Sequence, residues 1–502
     1  MKPSKITFGN DGWRAILGEV FNEENLFRVA EAFIRYLQSE HLASKPVAVG
    51  FDGRNDSKQF AELFAGVLSA NNISVFFSEN IIPTPVLSFT VKHLNCSAGI
   101  MITASHNTAA YNGVKFKADY GGPFIVEETR KVYEFLHEEI EKKRNDINIV
   151  RKDFLSDYLL HLQSIVDFSA LKSFAENPAN NPSVIIDSMG GAGQTILEDI
   201  LIPLGWRAQT IFGTPEQNFY DRKPEPIEKN LEPLLYNTNV TDAILGIATD
   251  GDGDRCAICF EDGKWISVQQ TILLLLWHLY KYKKLRGAII KSVPVTDKLR
   301  VLAERWNLPF YEVNVSFQNI AEIMLRTEYL LGVEESAGFG IQGNVPERDG
   351  ILSGLLFCEL LSISGKSLYE IWNDIKHIVG ELHYKRIDLK LEPSDPKDAS
   401  QGFRQKVKHG GQVKPSEGWK ESLFKRCEHF KPSKNLEEFF IEKVRKLFDK
   451  DTMNGIKFMF GDSRWLLIRA SQTEPMIRIY AEGRTEDELN RLLEEGKMLV
   501  GI

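Results

Sequence analysis

Short apolar runs alternate along the chain with stretches in which apolar residues return at helical spacing. "VAVGFD" (Val47–Asp52) precedes "SKQFAELFAGVLSANN", and "ISVFFSE" (Ile73–Glu79) precedes a Pro-Thr-Pro turn and another helical stretch, after which comes "SAGIMITAS". This β-α-β-α-β order predicts a largely parallel sheet covered by helices. The rhythm restarts with "SVIIDSMGGAGQTILEDILIPLGW" (Ser183–Trp206) and "AILGIATDGDGDR" (Ala243–Arg255). A third round runs from "GAIIKSVPVTDKL" (Gly287–Leu299) through "YLLGVEES" (Tyr329–Ser336). From about His383 the pattern changes to Pro/Gly-rich loops, "PSDPKDASQGF" and "HGGQVKPSEGW", and a last strand pair brackets "RASQTEPMIRIYAEG". The expected architecture is α/β: three similar domains with mixed sheets (1–155, 156–270, 271–382) and a distinct C-terminal α+β domain (383–502).

A length of 502 residues agrees with several domains of ~100–200 residues each. With 43% apolar and 26% charged residues the chain has the balance of a folded protein. A net charge of -8 offers no basic face to nucleic acid or anionic lipid, so neither is expected as a partner. The opening "MKPSKITFGNDGWRA" lacks a signal-peptide core, and "TILLLLW" (Thr271–Trp277) is far short of a membrane span and reads as a buried helix. The expected compartment is the cytoplasm. The five cysteines, at 96, 256, 259, 358 and 427, form no disulfide framework, and the lone Cys256/Cys259 pair reads as strand packing.

Chemistry concentrates in four places. In "ATDGDGDRCAI" (Ala248–Ile258), Asp250, Asp252 and Asp254 alternate with glycines after an apolar strand. Three carboxylates so close repel unless a cation neutralises them, and oxygen ligands suit a hard ion such as Mg2+. An EF-hand also begins D-x-D-x-D, with Glu261 at its twelfth position, but Arg255 stands where that loop needs Gly, and strands rather than helices are expected to flank it. A solvated acidic turn is the other alternative. "LLGVEESAGFG" offers Glu334 and Ser336 to sugar hydroxyls, or a helix cap. "RASQTEP" (Arg469–Pro475) fits a phosphate cradle or a salt-bridged surface turn. In "GIMITASHNTAAYNGVKFKA" (Gly99–Ala118) a strand runs into Ser105. The stretch lacks the G-x-S-x-G elbow of a serine hydrolase, and His106, its neighbour in an extended segment, is expected to point away. Ser105 reads instead as a phosphate carrier over the Asp-bound cation. Lys115 and Lys117 would supply positive charge, one of them with a depressed pKa to move a proton. His106 and Asn107 also fit ties that merely hold a turn.

With these motifs the sequence resembles the α-D-phosphohexomutase superfamily nearly end to end, from "FGNDGWRA" through "TASHNTAAYNGVKFK", "TDGDGDR", "GVEESAGFG" and "PERDGILSGLL" to "RASQTEPMIRIYAEG". The resemblance implies four domains around a central cleft, with a C-terminal domain that swings. It implies a phosphoserine at Ser105, and Mg2+ held by Asp250, Asp252, Asp254 and an oxygen of that phosphoserine. Arg255 would face the phosphoryl site. Lys115 matches the general acid or base, and Arg14 an active-site arginine. Glu334 and Ser336 match sugar-hydroxyl readers, and Arg469, Ser471, Gln472 and Thr473 the grip on the non-reacting phosphate.

The implied reaction is two phosphoryl transfers through a sugar 1,6-bisphosphate that turns over without leaving. "EES" followed by "PERDGI" looks most like phosphoglucomutase, which implies interconversion of glucose 1-phosphate and glucose 6-phosphate with glucose 1,6-bisphosphate as activator, and mannose phosphates as further candidates. Phosphoglucosamine mutase or phosphomannomutase is the alternative; a phosphoserine phosphatase and a non-catalytic sugar-phosphate binder are more distant rivals. A monomer or homodimer is expected. Gln472 and Ala337 stand where relatives commonly have Gly, and "VNVSFQNI" (Val313–Ile320) where they usually read Gly-Phe-Lys, so Ser316 and Gln318 are expected to cost a phosphate-binding charge.

Overall fold

Four sheets follow one another along the chain, each closed before the next begins. The computed structural model describes residues 6–9, 11–136, 142–390, 419–433, 436, 438–449, 452–471 and 476–501. The first sheet has strands β1 (Phe8–Gly9), β2 (Gly12–Ile16), β3 (Val47–Phe51), β4 (Val75–Ser78), β5 (Ala98–Ile102), β6 (Tyr111–Ala118) and β7 (Ile149–Lys152), in the order β1-β2-β6-β5-β3-β4-β7. Its β5-β3-β4-β7 part is parallel, and β1, β2 and β6 add antiparallel pairings. The alternation read from the sequence predicts the parallel part; the antiparallel strand β6 carries Lys115 and Lys117.

The second sheet is β8 (Ser183–Asp187), β9 (Arg207–Ile211), β10 (Leu245–Thr249) and β11 (Cys256–Cys259), in the order β11-β10-β8-β9. The third is β12 (Ala288–Ser292), β13 (Phe310–Val313), β14 (Tyr329–Val333) and β15 (Phe339–Ile341), in the order β13-β12-β14-β15. Each is parallel except for its last strand, which folds back antiparallel. That hairpin sets a loop at the carboxyl ends of the strands, where open α/β sheets bind ligands. The fourth sheet is wholly antiparallel: β16 (His383–Lys390), β17 (Lys443–Asp449), β18 (Thr452–Met459), β19 (Trp465–Ala470) and β20 (Met476–Gly483), ordered β16-β20-β19-β18-β17.

Burial follows the period of each element. In the first domain Phe33 stacks on Phe116 at 5.2 Å, and Val47, Val49, Ile100 and Ile102 are buried. "TILLLLW" lies in a helix over Val268–Trp277, opened by a Ser267–Gln270 capping box and buried along its length. Asp349 caps the equally buried helix Gly350–Ser364, accepting the Leu352 N–H at 2.9 Å and the Tyr158 hydroxyl at 2.9 Å; burial pushes its carboxyl up to about 6. In the fourth sheet Ile456, Phe458, Ile468 and Ile479 line the core face, and alternation puts Lys457, Arg469 and Arg478 on the other.

The chain divides into two compact units, one of Met1–Val293 with Leu308–Asn373 and the other of Pro294–Asn307 with Asp374–Ile502. The first three sheets lie in the former. The stretch Pro294–Asn307 belongs to the latter, where Thr296 Oγ1 donates to the buried Glu482 carboxylate at 2.7 Å. All five cysteines are buried and free, Cys256 and Cys259 on strand β11. Among the described residues no single helix is long and apolar enough to cross a membrane.

Candidate active site

Strand β5 ends at Ile102, and the chain then turns sharply. Ser105 is buried with φ 51°, in the left-handed region that an L-residue adopts only when held. Its N–H donates to Thr103 Oγ1 at 2.9 Å, and its own Oγ donates to Asp250 Oδ2 at 2.9 Å. The left-handed turn corrects one expectation. The segment is not extended, so His106 does not point away: its Nδ1 lies 3.3 Å from Ser105 Oγ. Burial first, then the positive charges of Arg255 and Arg14, hold the His106 imidazole well below its usual pKa, leaving it neutral.

The second half of the site is the loop between the antiparallel strands β10 and β11, so the helices that would flank an EF-hand are absent here. Asp250 Oδ1 accepts the N–H groups of Asp254 and Arg255 at 3.0 and 3.1 Å, which curls the loop so that alternate carboxylates converge. One oxygen from each of Asp250, Asp252 and Asp254 lies within 4.8 Å of the others, and all three residues are buried. Asp252 Oδ1 and Asp254 Oδ1 are buried without a hydrogen-bond donor among the described residues. Three converging buried carboxylates, two of them with an unpaired oxygen, fit a hard divalent cation. Burial, then repulsion from Asp254 and Asp252, drives the Asp250 carboxyl pKa far up, the strain that a cation would relieve. Gly251 permits the approach: a Cβ there would lie 2.5 Å from the Ser105 carbonyl oxygen.

Lys115, on β6, is fully buried, its Nζ 2.7 Å from Asp252 Oδ2, 2.7 Å from Asp254 Oδ2 and 3.1 Å from Asp11 Oδ2. Burial alone would lower its pKa; the three carboxylates outweigh that and raise it. The expected depression is therefore not found at Lys115, and Lys117 is paired with Glu347. Asp252 is the mirror case. Burial would raise it, but the Lys115 ammonium and the Thr84 hydroxyl, which donates at 2.5 Å, hold it below the usual carboxylate range.

Sequence reasoning missed Arg348. This buried arginine reaches Asp11 at 2.7 Å, Asp254 at 2.9 Å and Glu334 at 3.4 Å, tying the metal loop to the proposed sugar loop. The signal was a charged "ERD" directly before an apolar helix. Its stem crosses Gly338, where a Cβ would lie 2.4 Å from Arg348 Cδ.

The other predicted residues fall as follows. Arg14 Nη1 donates to Asn107 Oδ1 at 3.2 Å, beside the serine. Arg255 is nearly buried, with Nε 3.8 Å from Asp250 and 3.9 Å from Asp254. Glu334 follows β14, and burial raises its pKa despite Arg348; Ser336 is half-buried two residues on. Ala337 has φ 68°, which explains why a glycine suits that position. Gln318 is buried, donating its amide to the Phe124 carbonyl at 2.5 Å, so here it is a tie within the first unit. Arg469 and Ser471 lie at the end of β19 in the other unit, nearly buried, with Arg469 Nη1 lacking a hydrogen bond among the described residues. Gln472 and Thr473 lie outside the described residues. Ser105, His106, Arg14, Lys115, the three aspartates, Arg255 and Glu334 thus share one neighbourhood in the first unit.

Known proteins resemble the chain over most of its length. Models of the phosphoglucomutase/phosphomannomutase family match in order: alpha/beta/alpha domain I at residues 5–143, domain II at 156–263, domain III at 268–378 and the C-terminal domain at 432–496. A crystal structure of a Thermus thermophilus protein, described as a candidate phosphomannomutase, is 30% identical with a TM-score of 0.81, covering 99% of both chains. A phosphoglucomutase/phosphomannomutase of Thermococcus kodakarensis is 27% identical over 98% of both chains. A phosphoglucosamine/phosphogalactosamine mutase of Sulfurisphaera tokodaii is also 27% identical over 98% of both.

Proposed function

The chain belongs to the phosphoglucomutase/phosphomannomutase family of intramolecular phosphotransferases, and from that premise we propose that it interconverts glucose 1-phosphate and glucose 6-phosphate through a phosphoserine at Ser105. The observation that carries this reading is the 2.9 Å hydrogen bond from Ser105 Oγ to Asp250, one of three buried carboxylates suited to a cation.

Asp250, Asp252 and Asp254, with a phosphoserine oxygen, would hold Mg2+. When bound, that ion neutralises charge on the phosphoryl oxygens. Ser105 Oγ gives its phosphoryl group to the free hydroxyl of the sugar monophosphate and takes back the other phosphate of the resulting bisphosphate. Neutral His106 lies beside Oγ and serves as its hydrogen-bond partner. Lys115 brings positive charge, and its Nζ is the candidate proton carrier. Arg14 and Arg255 flank the transferred group. Glu334 and Ser336 read sugar hydroxyls.

Glucose phosphates are favoured by the "EES" loop followed by "PERDGI", with mannose phosphates second. A second reading, amino-sugar phosphates, is favoured by the name of the Sulfurisphaera relative. Coupled assays with glucose, mannose and glucosamine 1-phosphates decide between them: the proposal expects the highest kcat/KM with glucose 1-phosphate, and a strong preference for glucosamine 1-phosphate would overturn the assignment. Replacing Ser105 by Ala should abolish turnover on every substrate.

A further inference from the structure

Arg54 was not among the expected site residues, yet it is tied to the serine loop more extensively than any of them. It sits in the turn after β3, 4% exposed. Its Nη2 donates to the Ser105 carbonyl and, at 2.6 Å, to that of Asn107; its Nη1 donates to the carbonyls of Thr108 at 2.9 Å and Tyr111 at 3.1 Å. Its Nε lies 3.2 Å from Asp52, whose carboxylate also accepts the Thr103 hydroxyl at 2.5 Å. The Asp52–Arg54 pair therefore holds the loop on both sides of the serine, at Thr103 before it and at the carbonyls from Ser105 onward.

The guanidinium is backed from another element. It lies 4.6 Å from the centroid of the buried Phe219 ring. Phe219, Tyr220 and Asp221 are three successive left-handed residues, φ 55°, 55° and 59°. Each costs on the order of 1 kcal/mol, so the run persists only where its surroundings hold it. Just beyond it the Pro224 carbonyl accepts the Gly251 N–H at 3.2 Å. One strained segment thus abuts both the clamp on the serine loop and the loop of aspartates.

Four carbonyl oxygens drawn toward one point repel unless donors meet them, and a planar fork with five N–H groups meets them where a single ammonium cannot. We infer that Arg54 is a positioning residue for phosphoryl transfer: by gathering these carbonyls it fixes the left-handed backbone at Ser105 and so sets Oγ against Asp250. This rests on the reading of Ser105 as phosphoryl carrier.

The test uses the full-length protein with Mg2+ and glucose 1,6-bisphosphate as donor. In the step followed, the bond from Ser105 Oγ to phosphorus forms as a sugar O–P bond breaks, and the Oγ proton passes to the released sugar oxygen. Rapid quenching and intact mass give the rate of phosphoryl uptake and the donor concentration for half-maximal rate. Wild type should take up one phosphoryl group and Ser105→Ala none; an unlabelled wild type would overturn the Ser105 reading, whatever Arg54 does. Misplacing a reacting atom by ~1 Å costs ~100-fold, so Arg54→Lys should slow uptake by about that factor with half-saturation changed by less than about threefold. Arg54→Ala should regain part of its rate on adding methylguanidinium, a recovery that mere loss of stability would not give. Given a labelled wild type, an Arg54→Lys rate within about threefold of wild type would overturn the inference. Should neither Arg54 variant fold, Phe219→Leu decides: a loss of about threefold supports the clamp, at ~0.5–1 kcal/mol for the lost cation–π contact, and an unchanged rate overturns it.

Discussion

At the residue scale, the site is a balance of buried charges, and its predictions are electrostatic. Asp250, Asp252 and Asp254 repel one another in a dry setting, so Mg2+ should raise the melting temperature and chelation should lower it. A ligand at ~100 times its Kd contributes about 2.7 kcal/mol. Asp250→Ala should lose that Mg2+-dependent rise; an unchanged response would place the ion elsewhere. Asp349 supplies a pH prediction. Burial pushes its carboxyl up to about 6, above the ~4 of an unfolded chain. The folded state therefore holds the proton more tightly, and stability from this group is lost as pH rises from about 4 through about 6, by about 3 kcal/mol in all. Urea unfolding across that window should show a downward slope that Asp349→Asn flattens. Residue identity was well announced by the sequence where charges cluster locally, as in the aspartate loop. Asp11, Arg54, Thr84 and Arg348 were not legible, because their partners lie far away along the chain or are backbone carbonyls, which leave no signature in side-chain pattern.

At the element scale, the alternation of apolar strands and helices foretold the parallel parts of three sheets. Strands were expected on both sides of Asp250–Asp254, but not their antiparallel pairing as β10–β11, nor the hairpin β14–β15 whose loop carries Glu334–Ser336. The placing of His106 failed for a related reason: a left-handed residue reverses the direction that an extended chain would give, and a serine does not advertise it. Gly251 shows how closely the elements meet. Gly251→Ala would put a methyl group 2.5 Å from the Ser105 carbonyl, and backbone cannot step aside as a side chain can. Overpacking of this kind costs ~1–3 kcal/mol, so the variant should melt lower and lose most of its activity. Gln318 ties its helix to the Phe124 carbonyl. Gln318→Ala should destabilise by about 1–3 kcal/mol, because the Phe124 carbonyl is left buried and unpaired, with KM for sugar phosphate little changed. A large rise in KM without loss of stability would restore the phosphate-binding role.

At the scale of the whole molecule, composition placed the chain among folded proteins, and the order of four motifs carried the family. Two compact units were not legible, since they group residues 294–307 with the C-terminal sheet through side chains such as Thr296 and Glu482. On the proposed function, Ser105 carries the phosphoryl group that the sugar exchanges. The direct measurement follows radiolabel from glucose 1,6-bisphosphate into the intact protein and out again on adding glucose 1-phosphate. Label confined to the peptide bearing Ser105, and chased at a rate no slower than turnover, is the predicted result; label on another residue, or full turnover by an unlabelled chain, would contradict it.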